Sequence, residues 1–213
     1  MEWLLYPLLA FLLGSIPFGR IIGRAAARID VQEVGSRNIG ATNVAREVGL
    51  GWGVMTLVLD ALKGAAPVLV VVAMGAEPVG LAEVCGLAAV AGHQFSPFLR
   101  FHGGKGVATA LGVFLAMEPI ACGVALAAFV VVVAVSDAVS LGSMTAACCI
   151  PLYLVLSGGS TERIAVSAAV AGLILLAHRE NIGRLLRGEE RRWRKDRRAQ
   201  PRRSRSRSSS SSE

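Results

Sequence analysis

The sequence predicts an all-α polytopic membrane protein with seven transmembrane helices, its N-terminus outside and its C-terminus cytoplasmic. Three observations carry that prediction. Of the 213 residues 54% are hydrophobic, and the mean hydropathy is +0.57. That is too apolar for one water-soluble core to absorb, so lipid is the solvent for most of these side chains. The apolar residues fall into seven runs, at 3–22, 53–74, 79–98, 106–117, 119–135, 141–156 and 164–177. Lys and Arg gather in alternate connections, whereas the turns at 75–78, 118 and 157–162 hold none. With seven crossings every basic stretch falls on the cytoplasmic side.

The first run has no basic leader, carries Glu2 and is followed by Gly14-Ser15-Ile16-Pro17 rather than a small-residue cleavage signal. It reads as a retained helix and not as a signal peptide. The connection that follows, 23–52, is long, and Arg20, Arg24, Arg28, Arg37 and Arg46 stand in or beside it. Its stretch Gly35-Ser36-Arg37-Asn38-Ile39-Gly40-Ala41-Thr42-Asn43-Val44-Ala45-Arg46 is dense in donors for oxyanions. A helix cap and a turn would explain only one or two of these residues.

Within the second run, Asp60 and Lys63 lie one helical turn apart and read as a self-compensating pair. Glu83 in the third run reads as interfacial. The third and fourth runs are joined by Gly92-His93-Gln94-Phe95-Ser96-Pro97-Phe98-Leu99-Arg100-Phe101-His102-Gly103-Gly104-Lys105-Gly106-Val107-Ala108-Thr109. Glycines let backbone N–H groups approach a ligand, Lys105 adds a point charge, and the helix expected from Val107 would aim its N-terminus at the same spot. This reads as an anion cradle at a membrane surface. A flexible turn with a snorkelling lysine is the plainer alternative. The fourth run is short against the roughly 20 residues of a spanning helix. A re-entrant segment there would place the basic tail outside, which favours a crossing.

Between the fifth and sixth runs, Val135-Ser136-Asp137-Ala138-Val139-Ser140-Leu141-Gly142-Ser143 returns to the cytoplasmic side. Ser140 can cap the sixth helix, and Ser143 can face a neighbour or a ligand. The seventh run passes into His178-Arg179-Glu180-Asn181-Ile182-Gly183-Arg184-Leu185-Leu186-Arg187-Gly188-Glu189-Glu190. Continued as a helix, it places His178, Asn181 and Leu185 on one face. Residues 1–190 form the membrane domain, and 191–213 is an Arg/Ser-rich tail expected to be disordered and drawn to anionic lipid.

Several chemistries are excluded. Cys85, Cys122, Cys148 and Cys149 lie inside apolar runs without metal-ligand spacing, so they read as small hydrophobes. Gly106 follows Lys105 where a P-loop needs Ser or Thr, and Leu99 stands where its first glycine belongs. No histidine has an aspartate five positions later, which removes the usual His-Asp acyltransferase motif. Four polar clusters therefore share one membrane face, with more positive charge than one phosphate requires. They fit a site that holds two phosphorylated molecules at a lipid boundary.

Six ordered motifs resemble the bacterial membrane acyl-phosphate:glycerol-3-phosphate acyltransferase family: Gly14-Ser15-Ile16-Pro17-Phe18-Gly19, residues 35–46, Asp60-Ala61-Leu62-Lys63-Gly64, residues 92–109, Val139-Ser140-Leu141-Gly142-Ser143 and residues 178–190. The resemblance implies a seven-helix enzyme of the bacterial inner membrane with its site facing the cytoplasm. It implies acyl transfer from acyl phosphate to the 1-hydroxyl of sn-glycerol 3-phosphate, giving lysophosphatidic acid and phosphate in phospholipid synthesis. No cofactor, metal or nucleic acid is implied; the partners are both substrates, membrane lipids and the upstream enzyme that forms the acyl phosphate. Ser36, Arg46, Lys105 and His178 are the expected catalytic residues. Asn38, Thr42, Asn43, Gly103, Gly104, Gly106, Ser143 and Asn181 are the expected substrate-binding residues. Arg37 stands where a small residue is usual, His102 where lysine is common, and Asp137 where a basic or aromatic residue is frequent. The proton of the attacking hydroxyl is expected to pass to a phosphate oxygen, with His178 as the rival base. A transporter or flippase for a phosphorylated solute is the alternative from another class, although no inverted repeat supports it.

Overall fold

The computed structural model describes residues 1–75 and 80–194. Among them the chain forms ten α-helices, one 3₁₀ turn and no strand: α1 (Glu2–Gly14), α2 (Phe18–Ala27), α3 (Ala41–Glu47), α4 (Leu50–Ala73), α5 (Leu81–Gln94), α6 (Val107–Met117), α7 (Pro119–Ser136), α8 (Val139–Leu156), α9 (Thr161–Ala177) and α10 (Arg179–Leu186).

Among the described residues four helical stretches are long and apolar enough to cross a bilayer: Glu2–Ala27 taken together, Leu50–Ala73, Pro119–Ser136 and Val139–Leu156. A fifth is reached if α9 and α10, bent by 60° at their junction, count as one span. Large apolar side chains are exposed along these helices, among them Leu4, Leu62, Val72, Ile120, Val131, Val135, Leu152 and Leu156. Such a surface belongs in hydrocarbon.

The first apolar run is two helices and not one. Pro17 lacks an N–H and pushes its predecessor away from helical backbone, so α1 stops before it and α2 starts after it. The carbonyls freed by the break are satisfied from distant elements. The Ser96 hydroxyl donates to the Ser15 carbonyl at 2.7 Å, and the Lys63 ammonium donates to the Ile16 carbonyl at 2.7 Å. Lys63 also pairs with Asp60 at 2.8 Å, both side chains being buried. The self-compensating pair expected from their spacing is present, and it additionally pins the α1–α2 break.

Small residues let the helices approach closely. A Cβ on Gly92 would lie 2.1 Å from the Phe11 carbonyl oxygen, and one on Gly14 would lie 2.1 Å from that of Ala89, so α1 and α5 pack backbone to backbone. Gly64 against Thr109 and Gly112 against Ala61 do the same for α4 and α6. Dispersion between close backbones is what remains to hold helices together when lipid is as apolar as leucine. A buried cluster of Val113, Phe114, Ile150, Leu154, Val170 and Ile174 joins α6, α8 and α9.

Three expectations change in detail. The long first connection contains α3, which carries Thr42, Asn43 and Arg46. The last run does not continue straight: His178 ends α9 and begins α10, so His178 and Asn181 flank a bend rather than share one straight face. Arg163, just beyond the turn at 157–162 that holds no Lys or Arg, pairs with Glu118 and, at 3.3 Å, with Glu83. Glu83 is thus an ion-pair partner. Of the Arg/Ser tail, residues 191–194 lie against the fold and 195–213 fall outside the described residues.

Candidate active site

The polar clusters from four distant parts of the chain meet around one cavity of about 180 Å³. Its walls include Ser36, Asn38, Thr42, Asn43 and Arg46 from the first connection and α3, and Lys105 and Gly106 from the loop before α6. Ser140 and Ser143 of α8, and His178, Asn181, Arg184, Glu190 and Arg191 at the C-terminal end, complete it.

Lys105 is held where the loop turns into α6, and Gly106 makes that turn with φ 79, a conformation open to glycine without strain. The side-chain amide of Gln94 donates to the Lys105 carbonyl at 3.0 Å. The Lys105 ammonium donates to Oδ1 of Asn181, whose Nδ2 donates to the Glu190 carboxylate at 2.6 Å. Glu190 also accepts from the Ser140 hydroxyl at 2.7 Å and from Arg184 Nε at 3.0 Å. Burial pulls the Lys105 ammonium down to about 8, against the pull of Glu190, with Arg184 and Arg46 adding to the depression. Glu190 is held below the ordinary carboxylate range: burial opposes its charge, but the bonds from Ser140, Asn181 and Arg184 outweigh it.

His178 is buried, and its Nδ1 lies 2.8 Å from the Ile174 carbonyl. A carbonyl only accepts, so Nδ1 carries the proton and Nε2 is left as the acceptor nitrogen. Ser143 donates its hydroxyl to the Val139 carbonyl at 2.9 Å and keeps lone pairs for a further donor. Arg46 is buried at the cavity wall, with Cζ 5.6 Å from the centroid of the Trp193 ring.

Four expected binding residues make contacts within the protein itself. Gly103 and Gly104 do not line the cavity. Their N–H groups donate to the carbonyls of Gln94 and His93 at 2.9 and 3.1 Å, closing the loop onto the end of α5. A Cβ on Gly104 would lie 2.1 Å from His93 Nε2, so the glycine makes room for the His93 ring. The Asn43 carboxamide is fully engaged: Oδ1 accepts from Ser36 N–H at 2.8 Å, and Nδ2 donates to the carbonyls of Val31 and Val34 at 2.9 and 3.2 Å. It shapes the loop that presents Ser36. Asn38 makes an Asx turn, accepting from Gly40 N–H at 2.8 Å.

Other cavity residues escape a reading of spacing. Asp60 and His93 reach the wall, with His93 Nδ1 3.7 Å from Asp60 Oδ1. Arg184, Glu190 and Arg191 line it too. The adjacent carboxylates Glu189 and Glu190, set between an amphipathic basic helix and a run of arginines, were the available signal for Glu190.

The cavity adjoins an apolar groove of about 170 Å³, and the two share Leu57, Val107, Ala108, Phe129 and Ser143. Leu111, Phe114, Cys122, Ala147, Ile150 and Ile174 line its remainder. An anion site therefore opens directly onto a surface suited to a hydrocarbon chain.

Residues 4–188 match the model of the family described as glycerol-3-phosphate acyltransferase. A glycerol-3-phosphate acyltransferase of Desulfotalea psychrophila is 46% identical over 194 residues, covering 90% of this chain and 98% of that one. The enzyme so named from Trichlorobacter lovleyi is 48% identical over 182 residues, covering 85% and 92%. Among solved structures, the glycerol 3-phosphate form of PlsY (YgiH), an integral membrane glycerol 3-phosphate acyltransferase, superposes with a TM-score of 0.86 at 39% identity, covering 90% of this chain and 96% of that one. Its lysophosphatidic acid form gives 0.84 at 38% identity, with 90% and 95% covered. With the motif order, the fold and the cavity all in agreement, this chain belongs to the glycerol-3-phosphate acyltransferase family.

Proposed function

We propose that this protein transfers a fatty acyl group from acyl phosphate to the 1-hydroxyl of sn-glycerol 3-phosphate, releasing lysophosphatidic acid and phosphate. The observation that carries the reading is the junction of the two cavities. Arg46, Lys105 and Arg184 gather at the polar end, and the apolar groove begins at Ser143 and Phe129. A phosphorylated headgroup and an acyl chain then meet where the hydroxyls of Ser36 and Ser143 and the amide of Asn181 stand.

In this mechanism the 1-hydroxyl attacks the acyl carbonyl, a new C–O ester bond forms, and the bond from the carbonyl carbon to the phosphate oxygen breaks. The hydroxyl proton passes to an oxygen of the departing phosphate, which leaves as hydrogen phosphate. No acyl-enzyme is required, because the mixed anhydride already has a good leaving group. Lys105 and Arg46 neutralise phosphate charge and fix both substrates, so positioning and preorganised electrostatics supply most of the rate. His178, with Nε2 as its acceptor nitrogen, orients the hydroxyl. The buried Asp60–Lys63 pair, already matched to itself, gives no specific support to a transport role.

Seven crossings of the inner membrane place this site on the cytoplasmic face, with α5 and α6 as short spans; α6 at 11 residues is roughly 16 Å long against a hydrocarbon core of about 30 Å. Flanking residues and local thinning of the bilayer accommodate such a mismatch. An impermeant maleimide should label a cysteine at Ser157 from outside intact spheroplasts, and one at Arg28 only after lysis.

The decisive assay gives the purified protein labelled glycerol 3-phosphate with palmitoyl phosphate, and palmitoyl-CoA in parallel. Lysophosphatidic acid should form from the acyl phosphate alone and be lost in Lys105→Ala. Folded protein that binds glycerol 3-phosphate yet forms no product would refute the enzyme reading.

A further inference from the structure

Beyond α10 the chain turns at Gly188, with φ 71, and runs back across the cavity mouth. Glu190 is anchored inside by Ser140, Asn181 and Arg184. The next four residues form a strap with a contact at every position. Arg191 donates to the Gly35 carbonyl at 2.9 Å, next to Ser36, and lines the cavity. Arg192 donates to the Ser136 carbonyl at 2.8 Å. The Trp193 ring lies over the Arg46 guanidinium at 5.6 Å. Arg194 donates to the Ala134 carbonyl at 3.4 Å.

One residue holds the end of this strap. Asp137 ends α7 in the left-handed conformation, φ 58 and ψ 14, which aspartate tolerates better than most residues. That geometry turns both of its acceptors toward the strap. Its backbone carbonyl accepts from Trp193 N–H at 2.9 Å, and its carboxylate accepts from Arg194 N–H at 3.1 and 3.3 Å. Arg194 Nε adds an ion pair at 3.9 Å. The strap residues lie past the end of the family match at residue 188.

We propose that Asp137 is a positioning residue for acyl transfer: it pins the 189–194 strap so that Trp193 fixes the plane of the Arg46 guanidinium and Arg191 joins the site as an added ligand for substrate phosphate. The proposal rests on the acyl-transfer reading of the cavity. A guanidinium clamps a phosphate with two parallel N–H bonds only when its plane is correctly set, and an aromatic ring on its face sets that plane. Releasing the strap therefore weakens glycerol 3-phosphate binding and leaves the chemistry of the bound complex nearly untouched.

The test uses full-length protein carrying Asp137→Gly, Asp137→Asn, Trp193→Ala or Arg191→Ala. Glycine and asparagine both accept the left-handed backbone, so the pin is removed or neutralised without forcing a new turn. Asp137→Gly and Trp193→Ala should each raise KM for glycerol 3-phosphate about 3- to 30-fold, the range of a cation–π contact, and change kcat less than about twofold. KM for palmitoyl phosphate should change less. The double variant should be no worse than the weaker single one, and Arg191→Ala should raise the same KM. In a Trp3→Phe, Trp52→Phe background, glycerol 3-phosphate should change Trp193 emission, and the Asp137→Gly variant should require correspondingly more ligand. Unchanged KM in both Asp137→Gly and Trp193→Ala of an active enzyme would overturn this proposal alone. Higher activity in either variant would also overturn it, because the strap would then be an obstruction. A wild-type protein unable to form lysophosphatidic acid would refute the acyl-transfer reading and this proposal with it.

Discussion

Raising the pH from 7 to 9.5 should titrate Lys105. Burial holds its ammonium at about 8, against the pull of Glu190 and Glu180 and with Arg184 and Arg46 adding to the depression. The second ionisation of a phosphate monoester lies near pH 6, so glycerol 3-phosphate is a dianion throughout. The charged fraction of Lys105 in the free enzyme then falls from about 0.9 at pH 7 to about 0.1 at pH 9. The expected profile is a kcat/KM for glycerol 3-phosphate that drops about tenfold between those values, with a slope approaching −1 above pH 8.5. Because a bound dianion favours the ammonium, kcat should bend at higher pH than kcat/KM. Lys105→Arg should be slower at pH 7, since a fork replaces a point charge, but should lose the limb because guanidinium stays charged. The same depressed value carries a stability signature. Between about 8 and 10.5 the unfolded chain holds a proton here that the folded one has released, so folded stability rises with pH in that window. Lys105→Ala should lack this rise in thermal midpoint when the two proteins are scanned side by side without substrate. A kcat/KM that stays flat to pH 9.5, or the same limb in Lys105→Arg, would refute the assignment of Lys105 to the phosphate.

Three further outcomes are expected. Asp60→Ala strands the Lys63 ammonium and should cost about 3–5 kcal/mol, whereas Asp60→Leu with Lys63→Met should cost much less, as read from thermal midpoints in one detergent. Arg37 sits at φ 57, where a non-glycine residue is strained; Arg37→Gly should relieve about 1 kcal/mol of that strain and leave acyl transfer unaltered in the steady-state assay. Ala147→Phe places a ring in the apolar groove and should depress turnover of palmitoyl phosphate far more than that of an octanoyl phosphate, and equal losses would mean the acyl chain runs elsewhere.

The convergence of the site was legible because membrane topology leaves polar loops few places to go. Once basic residues mark alternate connections, residues 35–46, 92–109, 136–143 and 178–190 must share a face, and Ser36, Arg46, Lys105, Ser143, His178 and Asn181 do line one cavity. What those glycines and amides do was not legible. Gly103 and Gly104 sit beside Lys105 in a pattern that suits an anion, yet their use depends on α5 ending against them, a contact set by chain folding and not by local spacing. Asn43 looks like an exposed donor until Val31, Val34 and Ser36 close around it. The bend at His178 was hidden because no glycine or proline stands at the end of the apolar run to mark a stop. Helix length was legible for α6, which follows the run at 106–117, but not for α5, which stops at Gln94 where the loop folds back, short of the end of its run at 98.

The charge carried by the cavity argues for two phosphates rather than one. Arg46, Lys105, Arg184 and Arg191 line it against only two carboxylates, Asp60 and Glu190, and Asp60 is already matched by Lys63. Glu190 cannot cancel the remainder, because its oxygens are committed to Arg184, Asn181 and Ser140. At Lys105 burial does most to depress the ammonium, Glu190 pulls it back, and the neighbouring Arg184 and Arg46 add to the depression. Binding one dianion would relieve part of the repulsion among these cations and a second would relieve what remains, so the second phosphorylated substrate is held by a smaller net charge than the first. Acyl transfer leaves the phosphate count unchanged but divides it between a lipid that can slide along the groove and a small ion that can diffuse away. Loss of either product restores the repulsion, which favours the next pair of anions over an empty site.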